Sequence, residues 1–383
     1  MNVSKTVYSE MLPRHLYVHV PFCGRRCVYC DFSIAVRREV PVDEFAAAVA
    51  RELEIRQLSA APIELDTLYL GGGTPSRLGG DGVAQLIDMI RDAVALAPGA
   101  EVTIEANPDD VTPAAAARWR AAGVNRLSLG AQSFDDAVLI WMHRTHDAEA
   151  IRRAVDAARR AGIDNLSLDL IFALPQQFER SWEADLSRAL ELSPEHVSLY
   201  GLTIEPQTPL GRAHRRGQVV DAPDERYERE FLEAHDMLGA AGFEHYEVSN
   251  YGLASRHSRH NSAYWSGAAY LGVGPSAHGF DGEVRRWNRT AYADWLRALS
   301  ARSDPIQGDE TLTTDNRSAE AVYLGLRTSR GVVLEESELA HVAPWIDAGW
   351  AVIDGSRRLV LTPRGWLRLD ALSADLTAFR SRY

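Results

Sequence analysis

The chain has 383 residues, a formal net charge of −12, and 46% hydrophobic against 25% charged residues. That length suits one large domain with a smaller one, and the composition is that of a globular protein. The acidic balance speaks against a nucleic-acid partner, which calls for a basic surface. No run of about 18 apolar residues is present to span a membrane, and MNVSKTVYSEMLPRH at the start lacks the apolar core of a signal peptide, so a cytoplasmic location is expected.

In chain order, apolar β-branched runs alternate with amphipathic stretches. Strands are predicted at Leu16–Val20, Thr67–Gly71, Val102–Ala106, Arg126–Ala131, Asn165–Phe172 and His196–Tyr200, with helices near 43–58, 81–96, 113–122, 147–161 and 179–192. Pro and Gly mark the joins, as in GGGTPS, NPDD and ALPQ. Six strand–helix units imply a parallel sheet, either open and doubly wound or a partial barrel. A helix near 224–241 leads into HYEVSNYG and an aromatic, Gly- and His-rich stretch from Arg256 to Phe280. The polar segment at 301–312 reads as a linker. Beyond it, short helices near 315–328, 334–341 and 344–348 precede AVIDGSRRLVLTPRG, two strands about a Gly-Ser turn, an order that resembles a winged helix. In so acidic a chain, packing or partner docking is the expected role for that unit rather than DNA binding.

Only three cysteines occur, Cys23, Cys27 and Cys30, all within eight residues directly after the first strand. A disulfide framework would want an even number spread along the chain. Structural zinc wants four ligands, usually in paired CxxC knuckles, and the second pair is missing. Thiolates are the ligands of iron–sulfur clusters, and three of them on four irons leave one iron open. Such an iron can chelate the amino and carboxylate groups of S-adenosylmethionine, whose one-electron reduction starts radical chemistry. The expectation is therefore a [4Fe–4S] cluster, with Tyr29, Phe32 and Phe22 shielding it; zinc and inert buried thiols are the alternatives.

In a barrel, function gathers at the carboxyl ends of the strands. The later strands end in Gly71-Gly72-Gly73-Thr74-Pro75, Glu105-Ala106-Asn107-Pro108, Gln132-Ser133 with Arg144 beyond, Asp169, and Thr203-Ile204-Glu205-Pro206. Taken singly, Glu105, Gln132, Arg144 and Asp169 each read as structural; as an ordered set they read as the lining of a cofactor site.

These segments, with YVHVPFCGRRCVYCDF, LDLIFALP, EVSNYG and RHNSAYW…YLGVGPSAHG, resemble the radical S-adenosylmethionine family around oxygen-independent coproporphyrinogen III oxidase, and more closely its HemW-type heme chaperones. The resemblance runs nearly end to end. It implies a partial (β/α)6 TIM-like barrel over 1–300, with a chaperone-type extension from about 224, and a small C-terminal winged-helix-like domain over 301–383. It implies cluster ligands Cys23, Cys27 and Cys30, and S-adenosylmethionine contacts at Tyr17, Tyr29, Gly72, Gly73, Thr74, Glu105, Gln132, Arg144 and Asp169. The decarboxylating oxidase carries another cysteine two places after its third ligand, where this chain has Phe32, and a longer N-terminal extension than the roughly 15 residues before strand 1 here. Both departures imply a heme chaperone without oxidase activity, delivering heme to respiratory heme proteins and served by an electron donor, with peripheral membrane contact left open. The oxidase is the alternative. The chaperone pattern marks His260, in His260-Asn261-x-x-Tyr264-Trp265, as a heme ligand, with Arg256 and Arg259 near the propionates; from the residues alone, a histidine hydrogen-bonding a loop in an aromatic core is the plainer reading.

Overall fold

Within the strand segments of the first two hundred positions, as in HLYVHV and LSLDLIF, leucine, isoleucine and valine alternate with polar or aromatic residues, and that period of two is what a strand with two unlike faces requires. The computed structural model describes residues 13–56 and 63–381. Six strands, β1 (His15–Val20), β2 (Glu64–Gly72), β3 (Ala95–Ala106), β4 (Arg126–Gln132), β5 (Leu166–Phe172) and β6 (His196–Gly201), lie side by side in sequence order, each parallel to the next. The crossovers that parallel pairing demands are α1 (Val42–Ile55), α2 (Gly79–Ala93), α3 (Pro113–Ala121), α4 (Asp136–Trp141) with α5 (Ala148–Arg160), and α6 (Trp182–Glu191). A doubly wound sheet would reverse its strand order at a switch point. None occurs here, so the fold is the partial (β/α)6 barrel.

The barrel does not close. Its β1 edge takes β9 (Leu271–Val273) in parallel, and its β6 edge takes β8 (Asn250–Gly252) antiparallel, followed by β7 (Glu244–Glu247). Leu16, Val18, Leu68, Leu70, Ile104, Leu127, Leu129 and Leu168 are fully buried in the main apolar core. At about 1.5–3 kcal/mol per fully buried side chain of this kind, that row carries the stability. The alternate row, including Tyr17, Tyr69, Glu105, Ser128 and Asp169, is thereby free to be polar.

Several boundaries differ from expectation. Helix α2 stops at Ala93 and β3 begins at Ala95, well before position 102, because a register break opposite Leu65 and Thr67 absorbs Pro98 and Gly99. The predicted helix at 43–58 ends by Ile55, and positions 57–58 lie outside the described residues, as does the N-terminal segment before residue 13. The segment read as a linker is in part a strand, β12 (Ile306–Thr311), which pairs with β11 (Val284–Asn288) and through it β10 (His278–Phe280). Its polar side chains suit an edge strand whose faces meet water.

Helix α7 (Pro209–Arg215) follows the loop after β6, α8 (Asp224–Ala240) packs beside α6, and α9 (Arg259–Trp265) and α10 (Tyr292–Ser300) belong to the extension. The C-terminal unit runs α11 (Thr314–Leu326), β13 (Val332–Val333), α12 (Leu339–Asp347), β14 (Ala351–Ile353), β15 (Arg358–Leu361), α13 (Pro363–Trp366) and α14 (Leu369–Arg380), with a three-stranded antiparallel sheet of order β13-β15-β14. In place of the two short helices expected near 334–341 and 344–348 there is one, α12, with Pro344 inside it and Val342 and Trp345 buried. The unit docks on the β7–β8 turn. There Val248 N–H donates to Arg327 O (3.1 Å), Ser329 N–H to Tyr246 O (3.0 Å), and Arg327 pairs with the buried Glu247 carboxylate at 3.1 Å. The Arg327 guanidinium lies 4.2 Å from the Trp265 ring.

Candidate active site at the barrel mouth

The carboxyl ends of all six strands open into one cleft of about 550 Å³. The loop after β1 brings Cys23, Cys27, Tyr29, Cys30 and Phe32 to it, held by a two-residue ladder of Phe22–Cys23 with Ala35–Val36. Hydrogen bonds from Val28 N to Met142 O (3.3 Å) and from Leu210 N to Val28 O (2.8 Å) pin the loop's far side. Cys23 Sγ is 3.3 Å from Thr74 Oγ1, and burial pushes its thiol up to about 11. Among the described residues, no three His, Cys, Asp or Glu side chains converge as ligands of one metal ion would. The three thiols instead line a shared wall, the arrangement a multi-iron cluster uses, with each thiolate on its own iron. A cluster's positive irons would hold these thiols as thiolates against the burial effect.

Phe22 does not shield this loop. It is fully buried on the helix side, ring to ring with Phe45 and Tyr292. Phe32 stands at the mouth with 61% of its surface exposed.

The glycine turn after β2 reaches the cleft through its backbone. Gly72 has φ +112°, and a Cβ there would lie 2.7 Å from the His19 ring, while one on Gly73 would lie 2.7 Å from Pro21 carbonyl atoms. The glycines are therefore required where the ends of β1 and β2 press together. Glu105 accepts from Gly72 N–H (3.0 Å) and Tyr69 O–H (2.8 Å), which ties the turn to β3. Burial raises the Glu105 carboxyl to about 7 and the Asp169 carboxyl to about 6. Asp169 accepts from Ser128 Oγ at 3.0 Å and is further held by Ser167 and Ser198.

Arg144 sits on the loop between α4 and α5. It donates to Asn107 Oδ1 (2.5 Å) and Gly130 O (2.9 Å), and its Nη1 lies 3.5 Å from Cys27 Sγ. Its buried Nε has no partner among the described residues. Gln132 ends β4 with φ +67°. The turn after it is fixed by the buried Asp185 carboxylate, which accepts from Ser133 Oγ and Phe134 N (both 2.7 Å) and pairs with Arg180.

Tyr29, Gly72, Gly73, Thr74, Glu105, Gln132, Arg144 and Asp169 thus meet at one cleft with the three cysteines. Tyr17 does not line it: its ring stacks on Tyr69 (6.0 Å) one layer below, and its hydroxyl meets His19 Nδ1 at 3.2 Å. The serines that clamp Asp169 were missed as site residues. Their signal is a repeat on three successive strands, Leu127-Ser128-Leu129, Leu166-Ser167-Leu168 and Val197-Ser198-Leu199, in which serine alone faces inward.

His260 is not in the cleft. It lies on α9 beneath the amino-terminal ends of the strands, 1% exposed. Its Nδ1 is 2.6 Å from Thr67 Oγ1, its Nε2 2.8 Å from Tyr264 OH, its backbone N–H donates to Glu101 (3.0 Å), and its ring stacks on Tyr69 at 5.0 Å. Burial lowers its pKa to about 3. Both ring nitrogens are engaged, so neither is offered to an iron, and the loop-bonding histidine is the reading this geometry matches. Arg259 and Arg256 are likewise placed at the barrel floor, the first donating to Gly99 O (2.8 Å), the second accepting from Arg126 through its carbonyl (3.3 Å). No helix among the described residues is long and apolar enough to cross a membrane.

Comparison with known proteins follows the same geography. The Radical SAM superfamily matches residues 17–189, from β1 into α6. The heme chaperone HemW of Mycobacterium tuberculosis is 37% identical over 370 residues, covering 95% of each chain. That of Synechocystis is 34% identical over 93% of this chain and 90% of its own, and that of Escherichia coli 38% identical over 74% and 75%. Among solved structures, the coproporphyrinogen III oxidase HemN of Escherichia coli, a radical SAM enzyme, superposes with a TM-score of 0.82 at 22% identity, covering 98% of this chain and 92% of that one. This last is a likeness of fold.

Proposed function

The chain belongs to the radical SAM superfamily and, within it, to the HemW heme chaperones, and from that premise we propose that it carries heme as cargo beside a [4Fe–4S] cluster and S-adenosylmethionine. The observation that carries the cofactor part is the convergence of the three thiols, the glycine turn, Arg144, Glu105 and Asp169 on a single cleft. When bound, the cluster supplies an open iron for the amino and carboxylate groups of S-adenosylmethionine and a source of single electrons. Cys23, Cys27 and Cys30 would hold the other three irons. Arg144, fixed by Asn107 and Gly130, places a cation beside Cys27, where it can also meet a ligand carboxylate. Glu105 and Asp169 offer acceptors to ribose hydroxyls and favourable charge to a sulfonium once ionised. Tyr29 supplies an aromatic wall.

Delivery of heme to respiratory heme proteins and reduction of the cluster by an electron donor complete the reading, as does a division into the barrel with its extension and a C-terminal unit. Phe32, in place of the further cysteine of the decarboxylating oxidase, supports a chaperone without that activity. The test is anaerobic reconstitution with iron and sulfide, then hemin titration and coproporphyrinogen decarboxylation on one sample. Iron and sulfide near four each, a cofactor-dependent change in the reduced cluster's EPR spectrum, hemin uptake and no decarboxylation are expected. Robust decarboxylation without hemin uptake would restore the oxidase.

A further inference from the structure

The outer face of the cysteine loop departs from the rest of the surface in both charge and apolarity. The chain has 53 acidic residues against 41 basic ones, yet residues 24–39 and 205–218 together hold seven arginines against only Asp31, Glu39 and Glu205. Arg25, Arg26, Arg37 and Arg38 stand on the loop; Arg212, Arg215 and Arg216 stand on α7 or at its end. All are exposed, and none has an ion-pair partner among the described residues. Elsewhere exposed arginines commonly find one, as Arg118 does in Asp81, Arg152 in Glu149 and Asp156, and Arg285 in Glu320. Backbone bonds tie the segments into one face. Arg37 N–H donates to Cys23 O (2.9 Å), Leu210 N–H at the start of α7 to Val28 O (2.8 Å), and Val28 N–H to Met142 O just past α4 (3.3 Å). On that face lie the two most exposed large apolar side chains of the described residues, Ile140 of α4 at 74% and Phe32 of the loop at 61%. Val36 is exposed on the loop, Tyr200 at the end of β6, Val220 just after α7, and Tyr227 in a pocket it shares with His214 of α7. Only Val333 and Val352, on the C-terminal unit, are large apolar side chains left exposed elsewhere among the described residues.

We propose that this face docks an acidic one-electron carrier protein, with the arginines of the loop and of α7 as its charged rim and Ile140 and Phe32 as its apolar contacts. The proposal rests on the reading that the three cysteines hold a [4Fe–4S] cluster, and it gives the electron donor of that reading a place. The step exchanges one electron: the carrier is oxidised by one and the cluster reduced by one. Electron transfer falls off steeply with distance, so a carrier must sit on the thinnest cover over the cluster. Cys23 is buried, but Cys27 and Cys30 are only half-buried, on the same loop that carries Arg25, Arg26 and Phe32. Single exposed apolar residues are ordinary, but a group of them around one loop marks a contact surface. Unpaired arginines add long-range attraction for negative charge. In a chain of net charge −12 that attraction is confined to this face, and an acidic partner is repelled from the remainder. Redox encounters are small and short-lived, so a patch of this modest size suffices. A nucleic acid would use the arginines and leave Ile140 and Phe32 without a role.

The test uses the full chain, reconstituted anaerobically with iron and sulfide, and photoreduced flavodoxin as the acidic carrier. Stopped-flow absorbance follows reduction of the cluster, with photoreduced deazaflavin, small and uncharged, as the reference reductant. Reduction of the wild-type chain by flavodoxin should slow as salt is raised. Arg37→Glu with Arg38→Glu, and Arg212→Glu with Arg216→Glu, should each lower the second-order rate at low salt by about tenfold or more. Ile140→Ala should lower it severalfold at any salt. Deazaflavin should reduce every variant at the wild-type rate. Arg51→Glu with Arg160→Glu, the same change of charge on the outer helices α1 and α5, should have little effect. Binding is read without electron transfer from the amide NMR spectrum of oxidised flavodoxin, whose signals should shift on adding the metal-free wild-type chain and stay in place with the two loop and α7 variants. Unchanged flavodoxin rates in those variants would overturn the docking face, as would equal slowing in the outer-helix control or equal slowing with deazaflavin. So would variants that lose self-association in sedimentation, or binding to phosphatidylserine vesicles, while flavodoxin still reduces them normally. In each case a loaded cluster whose EPR spectrum responds to S-adenosylmethionine leaves the cofactor reading standing. A chain that takes up no iron and sulfide would remove that reading and the docking face together.

Discussion

The two ends of this barrel are built from the same strands and behave as opposites. At the floor, His15, Thr67, Glu101, His260 and Tyr264 spend their polar groups on one another: Thr67 bridges two imidazoles, and Glu101 takes the first amide hydrogens of α9. At the mouth, three thiols, the Glu105 and Asp169 carboxyls with raised pKa, and Arg144 with a spare donor face a common space. A closed network buys rigidity, because each buried group has its partner. An open one leaves capacity for a ligand. The contrast shows why a conspicuous histidine in a recognisable motif is not a site by that fact alone: what matters is whether its nitrogens are already committed.

The largest effect that would sharpen the contrast is at the cysteines. Replacing any one of Cys23, Cys27 or Cys30 by alanine should abolish the cluster, read as loss of acid-labile sulfide, while the melting temperature of the metal-free protein stays within a few degrees. Cluster retention in any of the three would break the three-ligand assignment. Next comes the floor. His260→Ala strands Thr67, Tyr264 and a stacked face of Tyr69, and should cost about 2–4 kcal/mol by denaturant unfolding, with iron and sulfide content retained in the folded fraction. A neutral effect there would contradict the closed-network description.

At the mouth, Asp169→Ala or Arg144→Met should weaken S-adenosylmethionine binding by about tenfold or more, equivalent to about 1.4 kcal/mol, without loss of the cluster. Calorimetric titration of the reconstituted variants checks this, and unaltered affinity would exclude the residue from the contact set. The smallest effect is in pH. Glu105 and Asp169 have folded pKa values of about 7 and about 6, above their ordinary values of 4.5 and 3.8. At these two sites the folded chain therefore holds more protons than the unfolded one through that interval, and their contribution to stability falls as pH rises from about 4 to about 7, against the opposite contribution of buried His260, whose pKa is lowered to about 3. Chemical denaturation of the cluster-free protein across that range should show Glu105→Gln gaining stability relative to wild type as pH rises; a difference between the two that does not change with pH would mean the Glu105 carboxyl is not desolvated as described.

Much of the barrel was legible because its periodicities are strong. The six strands and their helices fall close to their predicted positions, since β-branched runs with one apolar face have one way to bury it. Boundaries slipped where local signals misled: Pro98 and Gly99 hid the start of β3 inside a register break, the polar run at 306–311 concealed an edge strand, and the two short helices expected near 334–341 and 344–348 are one helix, held by the buried face of Val342 and Trp345.

The sequence by itself determined which groups meet at the mouth, because the spacing of the three thiols is set within one loop, and because parallel strands in regular alternation put their ends on one side. Tertiary structure alone decided strand order, and with it the partial barrel over the doubly wound sheet, since pairing between strands far apart in the chain leaves no local trace. It also decided the fate of His260. Its motif is plain in the sequence, but no neighbour in the chain shows whether its ring nitrogens are free. It is closed in by Thr67 and Tyr69 from a strand nearly two hundred positions earlier.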